Sequence, residues 1–381
     1  MLAKNHKSIA ALMTARGASA ISSIQLAGAD SENILKRIFK PLVGKSPVFS
    51  VGSILHGNIF DGGVLVDEVV IGCEGRDFFS INCHGNPIIV ENILELLKKH
   101  NVRITDAREI LVYMGKQKYG DNTIAIEAQI GQTQAATIYG SKIIRHQTKM
   151  GLLQAANWWL ENLDTLELDD IREGVEQVLN DSRIADLFIR DVKIVIAGPP
   201  NTGKSTLFNR LCGREKAIVT DIAGTTRDWL SAKVRLKRIS AEFFDTAGLD
   251  QMLSRQNSID AESQGQAVEL IKNADLVLFV VDSADRADNL AAENKLVVFN
   301  KCDLGDNLPV DGLSISAKTG QGVDKLITAI EKTLGVLYFD FKKTVCFTDR
   351  QKKILKQTAS AGTKEQIKKL IQELLKGAVA V

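Results

Sequence analysis

The sequence predicts a multi-domain chain: an N-terminal α+β domain over residues 1–118, then an all-α helical domain (119–190 and 337–381) interrupted by an inserted α/β unit at 191–336. Three observations predict it. The 381 residues, at about 150 per domain, make two to three separate cores. Apolar runs at 192–197, 242–244, 275–282 and 295–300 alternate with helical stretches, the pattern of a parallel sheet wrapped by helices. The segments on either side of that alternation read as helix, so the α/β unit lies between two helical pieces that could pack together.

In chain order, short β-type runs at 21–26, 63–73 and 78–83 with one helical pattern at 88–100 give the α+β character of the first domain. Ile171, Val175, Val178 and Leu179 mark the first helical piece, and Ile367, Leu370, Ile371, Leu374 and Leu375 form one apolar stripe in the second. Charge is balanced, with 48 Lys and Arg against 46 Asp and Glu, so a globally basic nucleic-acid binder is not indicated. Five widely spaced cysteines without a CxxC pair suggest neither a disulfide framework nor a zinc site, and a reducing, cytoplasmic setting fits. No apolar run is long enough for a membrane span, and the N-terminus, broken by Lys4, Lys7 and Arg16, reads as part of the first domain.

The chemistry is concentrated in the α/β unit. The strand VKIVIAG runs into Gly198-Pro-Pro-Asn201-Thr202-Gly203-Lys204-Ser205-Thr206, which matches GxxxxGK[ST] in the order strand, loop, helix. Glycines let backbone N–H groups curl around phosphates at a helix N-terminus, Lys204 adds a positive charge, and the Ser205 hydroxyl suits Mg²⁺. A chance match in such a chain is on the order of one in a hundred. Four elements follow in sequence order. The segment from Thr220 to Asp228 is a switch able to fold over the phosphates, with Thr226 as Mg²⁺ and γ-phosphate ligand. Asp245-Thr-Ala-Gly248 places Asp245 on Mg²⁺ through water and the Gly248 N–H at the γ-phosphate. Asn300-Lys301-Cys-Asp303 reads the base, the Asp303 carboxylate accepting from guanine N1–H and N2–H₂, a donor pair that adenine lacks. A site built this way rejects the wrong base by roughly 10⁴, so GTP rather than ATP is expected. Ser316-Ala317-Lys318 offers backbone N–H groups to guanine O6.

These motifs make 191–336 a P-loop GTPase domain similar to the translational-type GTPases. With Arg16-Gly17 and Asn82-Cys83-His84-Gly85 ahead of it and the split helical region around it, the chain resembles the tRNA modification GTPase MnmE (TrmE) family. The resemblance implies GTP hydrolysis with Mg²⁺ and K⁺ in tRNA wobble-uridine modification, a homodimer, tRNA and a flavoprotein partner, and no membrane. It implies a K⁺ site at Asn201 with Thr220, Ile222 and Thr225, around which GTPase domains dimerise; Leu249, rather than a water-orienting Gln, agrees. The alternative for Asn201 is that it merely supports the loop.

Three departures from the family pattern matter. The family's water-positioning Glu, twelve residues after the DTAG aspartate, falls here on Asn257, so either hydrolysis is slow or Asp260 or Glu262 takes over. Gln25 and Ser80 stand where the family has an Arg and a Glu in its folate site, which leaves tetrahydrofolate in doubt. The family's Cys-x-Gly-Lys tail is absent from the segment Lys376-Gly-Ala-Val-Ala-Val381. A GTPase acting on another RNA or in ribosome assembly without modification chemistry, or a slow GTP/GDP switch, therefore stays open. Elsewhere His84 reads as a turn residue, Trp158-Trp159 as packing between helices, and the 10 Lys and Arg against 4 Asp and Glu over 339–381 as either a tRNA contact or a solvated face.

Overall fold

The computed structural model describes residues 8–44, 46–214, 230–245, 269–283, 294–305 and 312–379. They fall into two compact units, one holding the described residues up to Ile130 and those from Lys376 onward, the other Gly131–Leu375.

The first unit is a seven-stranded sheet with helices on both faces. Its strands are β1 (Ser8–Leu12), β2 (Ile21–Gly28), β3 (Phe39–Pro41), β4 (Ile54–Asp61), β5 (Val64–Gly75), β6 (Phe78–His84) and β7 (Arg103–Ile104), in spatial order β3-β4-β5-β6-β2-β1-β7. All neighbours run antiparallel except β1 and β7. Helices α1 (Ser31–Ile38) and α2 (Pro87–Lys99) bury Leu35, Ile93 and Leu97 against Ile24, Leu26, Ile71, Phe79 and Ile81. Two local signals fix where helices begin: Asn86 Oδ1 accepts from Ile88 N at 2.9 Å ahead of α2, and Asp106 Oδ1 accepts from Glu109 N at 2.9 Å ahead of α3 (Ala107–Tyr119). The expected strand at 63–73 begins after a Gly62-Gly63 turn, and β1, β3, β4 and β7 are strands the sequence reading does not contain, as is the strand Leu230–Arg235 of the second unit.

Glu109 also ties α3 to β7. The hydrogen bond from the Arg103 guanidinium, reinforced by the Thr105 hydroxyl, holds its carboxyl down at about 2. A depressed folded value contributes stability that is present above the ordinary 4.5 and is lost as pH falls through about 2. Glu109→Gln is expected to give a small loss at neutral pH, because the pair is partly solvated, and the gap to the parent should close across that acid window. Urea unfolding followed through the window tests this; a constant gap counts against the assignment.

The second unit joins a helical layer to a second sheet. Following α4 (Thr123–Gln134), α5 (Ile138–Gln147), α6 (Leu152–Glu161) and α7 (Leu168–Ile189) lead into β8 (Val192–Ala197), α8 (Lys204–Arg214), β9 (Leu230–Arg235), β10 (Ser240–Asp245), β11 (Leu276–Val281), β12 (Lys295–Phe299), α9 (Val323–Thr333), α10 (Asp349–Ala359) and α11 (Lys364–Lys376). The sheet order is β12-β11-β8-β10-β9, parallel except for edge strand β9. The chain fills one side of β8 and then crosses to the other, so the carboxyl end of β8 lies at a switch point where an α/β sheet opens a crevice.

Segments far apart in sequence meet in the helical layer. The buried Gln147 amide donates to Ile143 O and Lys343 O and accepts from Leu152 N and Val345 N, all within 2.9–3.1 Å. Cys346 N donates to Ser182 Oγ at 2.7 Å, and Phe188 packs on Phe339 and Phe341 with ring centroids 5.7 and 5.3 Å away. Trp159 packs as expected, but Trp158 does not: it is 49% exposed, because successive helical residues diverge by about 100°. None of the five cysteines is in a disulfide. Among the described residues no helix is long and apolar enough to cross a membrane.

Candidate nucleotide-binding site

The site grows from the carboxyl end of β8. This strand is buried at every position but Lys193, as a central parallel strand must be. Gly198 follows at φ +146°, where any Cβ would strike the Val280 carbonyl oxygen of β11. Gly203, at φ +92°, is pressed against the Asn300 amide. Both positions require glycine. Between them Asn201 adopts φ +63°. Thr202 Oγ1 donates to Pro199 O at 3.0 Å, and Lys204, 4% exposed, donates through Nζ to Gly198 O at 2.8 Å and Pro199 O at 2.9 Å. The loop is thus closed on its own carbonyls, leaving the start of α8 with Ser205 and Thr206 exposed, an N-terminus suited to phosphate.

Asp245 ends β10, 7% exposed and in register with Ile196 of β8. Its carboxylate and the Ser205 hydroxyl are hard oxygen donors of the kind Mg²⁺ takes. Among the described residues no group of three or more His, Cys, Asp or Glu could hold a metal by itself. Thr220, Ile222, Thr225, Thr226, Gly248 and Asn257, and the alternative acids Asp260 and Glu262, lie outside the described residues.

The residues expected to read the base converge on the same crevice. Asn300, 3% exposed at the end of β12, donates from Nδ2 to Thr202 O at 2.8 Å and accepts through Oδ1 from Ala317 N at 2.9 Å. It is a strut between the phosphate loop and the 316–318 loop. Lys301, at φ +68°, reaches Asp282 at 3.1 Å. Asp303 is solvent-exposed, and a hydrogen bond from the Ser316 side chain, with the Lys318 charge adding, keeps its carboxyl below the usual range. It stays ionised, an acceptor for two donors. The Ala317 N–H is taken by Asn300 and the Ser316 N–H by Gln321 O at 2.9 Å, so two of the N–H groups expected to face guanine are spent inside the protein.

Nothing in the sequence reading singles out Arg210. From α8 its Nε donates to Ala317 O at 3.0 Å and its Nη2 to Lys318 O. The one available signal was a cation without an acidic neighbour three or four residues away on the helix. Asn300→Ala removes both bonds of the strut and leaves Thr202 O and Ala317 N unpaired in a buried place. GDP affinity is expected to fall about 10- to 100-fold; calorimetry giving an unchanged affinity would show the strut to be idle.

Two family models match this chain. A family model described as "GTP-binding protein TrmE N-terminus" matches residues 8–109, and one described as "50S ribosome-binding GTPase" matches 193–302. The chain is 30% identical to the "tRNA modification GTPase MnmE" of Aquifex aeolicus over 369 residues, 86% of this chain and 82% of that protein. The chain belongs to the MnmE family. The MnmE of Thermotoga maritima is likewise 30% identical, over 91% of this chain and 86% of its own length. Among solved structures the chain is similar to the G domain of the T. maritima FeoB iron transporter, at 23% identity over 38% of this chain and 99% of that one, with a TM-score of 0.29.

As a member of the MnmE family carrying this GTPase domain, the protein binds guanine nucleotides and hydrolyses GTP. Two features of its N-terminal unit bear on the MnmE resemblance. Gln25 of β2 pairs directly with Ser80 of β6, and the Gln25 amide donates to Glu74 at 3.1 Å. Neither position carries the Arg or the Glu that the family pattern places there. His84 is no turn residue: it ends β6 with its backbone N–H and ring Nδ1 on the buried Asp67 carboxylate at 2.9 and 2.8 Å.

Proposed function

We propose that this MnmE-family GTPase serves tRNA wobble-uridine modification, binding GTP between the loop around Lys204 and the carboxylate of Asp303. The observation that carries the nucleotide site is the Asn300 side chain bonded at once to Thr202 O and Ala317 N, which makes the phosphate cradle and the base reader parts of one crevice. Gly198, Asn201, Thr202, Gly203, Lys204, Ser205 and Thr206 cradle the phosphates; Asn300, Lys301, Asp303, Ser316, Ala317 and Lys318 hold the base. Ser205, Asp245 and Thr226 would hold Mg²⁺, which when bound neutralises charge on the β- and γ-phosphate oxygens. Asn201, Thr220, Ile222 and Thr225 would hold K⁺, which supplies the positive charge an arginine finger gives elsewhere. The Gly248 N–H senses the γ-phosphate, and Asn257 orients water without taking its proton.

We further read the chain as four parts, 1–118, 119–190, 191–336 and 337–381, with the GTPase inserted into one helical domain. The bonds from Gln147 to residues 343 and 345 and the packing of Phe188 on Phe339 and Phe341 support that reading. A homodimer working in the cytoplasm with tRNA and a flavoprotein partner completes it. Single-turnover GTP hydrolysis in K⁺ against Na⁺ is the first test, and a K⁺-specific acceleration is expected. Near-zero rates in both salts would favour the second reading, a slow GTP/GDP switch, for which the amide at Asn257 is the specific observation. Mass spectrometry of wobble uridines in tRNA from a strain lacking the gene tests the pathway; unchanged modification overturns it.

A further inference from the structure

The guanine reader has one N–H that the protein leaves over. Ser316 N–H goes to Gln321 O, Ala317 N–H to Asn300 Oδ1 and Thr319 N–H to Ser316 Oγ at 3.1 Å. Lys318 N–H meets no acceptor among the described residues. We propose that Arg210 is a positioning residue for guanine selectivity, aiming this Lys318 N–H at the 6-oxo group of the base. The inference rests on the reading of Asp303 and the 316–318 loop as the base site.

The argument is one of peptide geometry. The Ala317 carbonyl and the Lys318 N–H belong to the same planar trans peptide, so they point in opposite directions. Arg210 Nε draws Ala317 O toward α8 at 3.0 Å, which turns the Lys318 N–H away from α8. Arg210 Nη2 takes the next carbonyl, Lys318 O, so two successive peptides are fixed by one planar group. A guanidinium presents its donors in a rigid fork, which an ammonium on a flexible stem does not. In a purine the 6-oxo oxygen is bonded to the carbon next to N1, so its reader must stand beside the reader of N1–H. Asp303 meets that demand: the bond from Cys302 N–H to Ile315 O, at 3.0 Å, sets it beside the start of the 316–318 loop. The same helix therefore carries the phosphate contact at its first residue, Lys204, and the orientation of the base loop at Arg210.

The test compares the affinities of GDP and 6-thio-GDP, in which sulfur, a weak acceptor, replaces the 6-oxo oxygen and the N1–H and N2–H₂ edge is kept. The ratio is measured by calorimetry on the full chain for the parent, Arg210→Ala and Arg210→Lys. An aligned hydrogen bond is worth about 5- to 10-fold, so the preference for GDP should shrink by about that factor in Arg210→Ala. Arg210→Lys, which keeps the charge without the fork, should fall in between. A general loosening of the loop would weaken both nucleotides equally and leave the ratio unmoved. An unchanged ratio in whichever variant folds overturns the role of Arg210. Asp303→Asn, assayed alongside with GDP and XDP, separates the two readings: if it still prefers GDP the base site lies elsewhere and both fall, whereas a switch to XDP with an unmoved Arg210 ratio removes this inference alone.

Discussion

Lys204→Ala is expected to lower GTP and GDP affinity by about a hundred- to a thousandfold. Lys204 is 4% exposed, and its ammonium bridges the carbonyls of Gly198 and Pro199 across the mouth of the loop. Its removal takes away the positive charge at the phosphate site and leaves both carbonyls without that donor. Truncating one partner of a buried, hydrogen-bonded charge pair costs about 2–5 kcal/mol, and each 1.4 kcal/mol is about tenfold. Calorimetry on nucleotide-free protein in magnesium buffer measures it. Retained micromolar affinity would place the phosphates elsewhere, because no rearrangement of alanine restores a cation there.

The second large effect is a change of base rather than a loss of binding. Asp303→Asn turns an acceptor-only carboxylate into an amide with one acceptor and one donor pair. Guanine then finds its N2–H₂ opposed by another donor, whereas xanthine, with a carbonyl at that position, is satisfied. Sites that read hydrogen-bond donors discriminate by roughly 10⁴, so preference is expected to pass from GDP to XDP with a combined shift of about 10³ or more. Competition between the two diphosphates reads it directly. A variant that keeps its preference for GDP would remove Asp303 from the base.

Both predictions concern residues legible in the sequence, for a physical reason. The phosphate loop is contiguous, and its glycines, lysine and hydroxyls act from fixed positions along a few residues. The strands that carry it were equally plain: β8 beyond Lys193 and all of β11 are buried on both faces and read as unbroken apolar runs. Edge strand β9 was hidden because Ser231, Lys233 and Arg235 alternate with its buried residues, and β4 because His56, Gly57 and Asn58 interrupt it. Short β1 contains two alanines and one β-branched residue, a weak strand signal. The grip of Arg210 on Ala317 and Lys318 spans more than a hundred residues. Such a contact exists only once the sheet order is known. The same holds for the 316–318 loop, where sequence names three candidate donors and only the folded bonds say which are already committed.

The amide of Gln147 sets a timetable for biosynthesis. Its partners on α5 and α6 leave the ribosome almost with it, but Lys343 and Val345 follow nearly 200 residues later. At about 5–20 residues per second the nascent chain waits roughly 10–40 s before this buried group is fully matched. Until then the early helices carry an unfinished polar contact, so they should remain open to proteases and chaperones while the nucleotide-binding sheet is already being made.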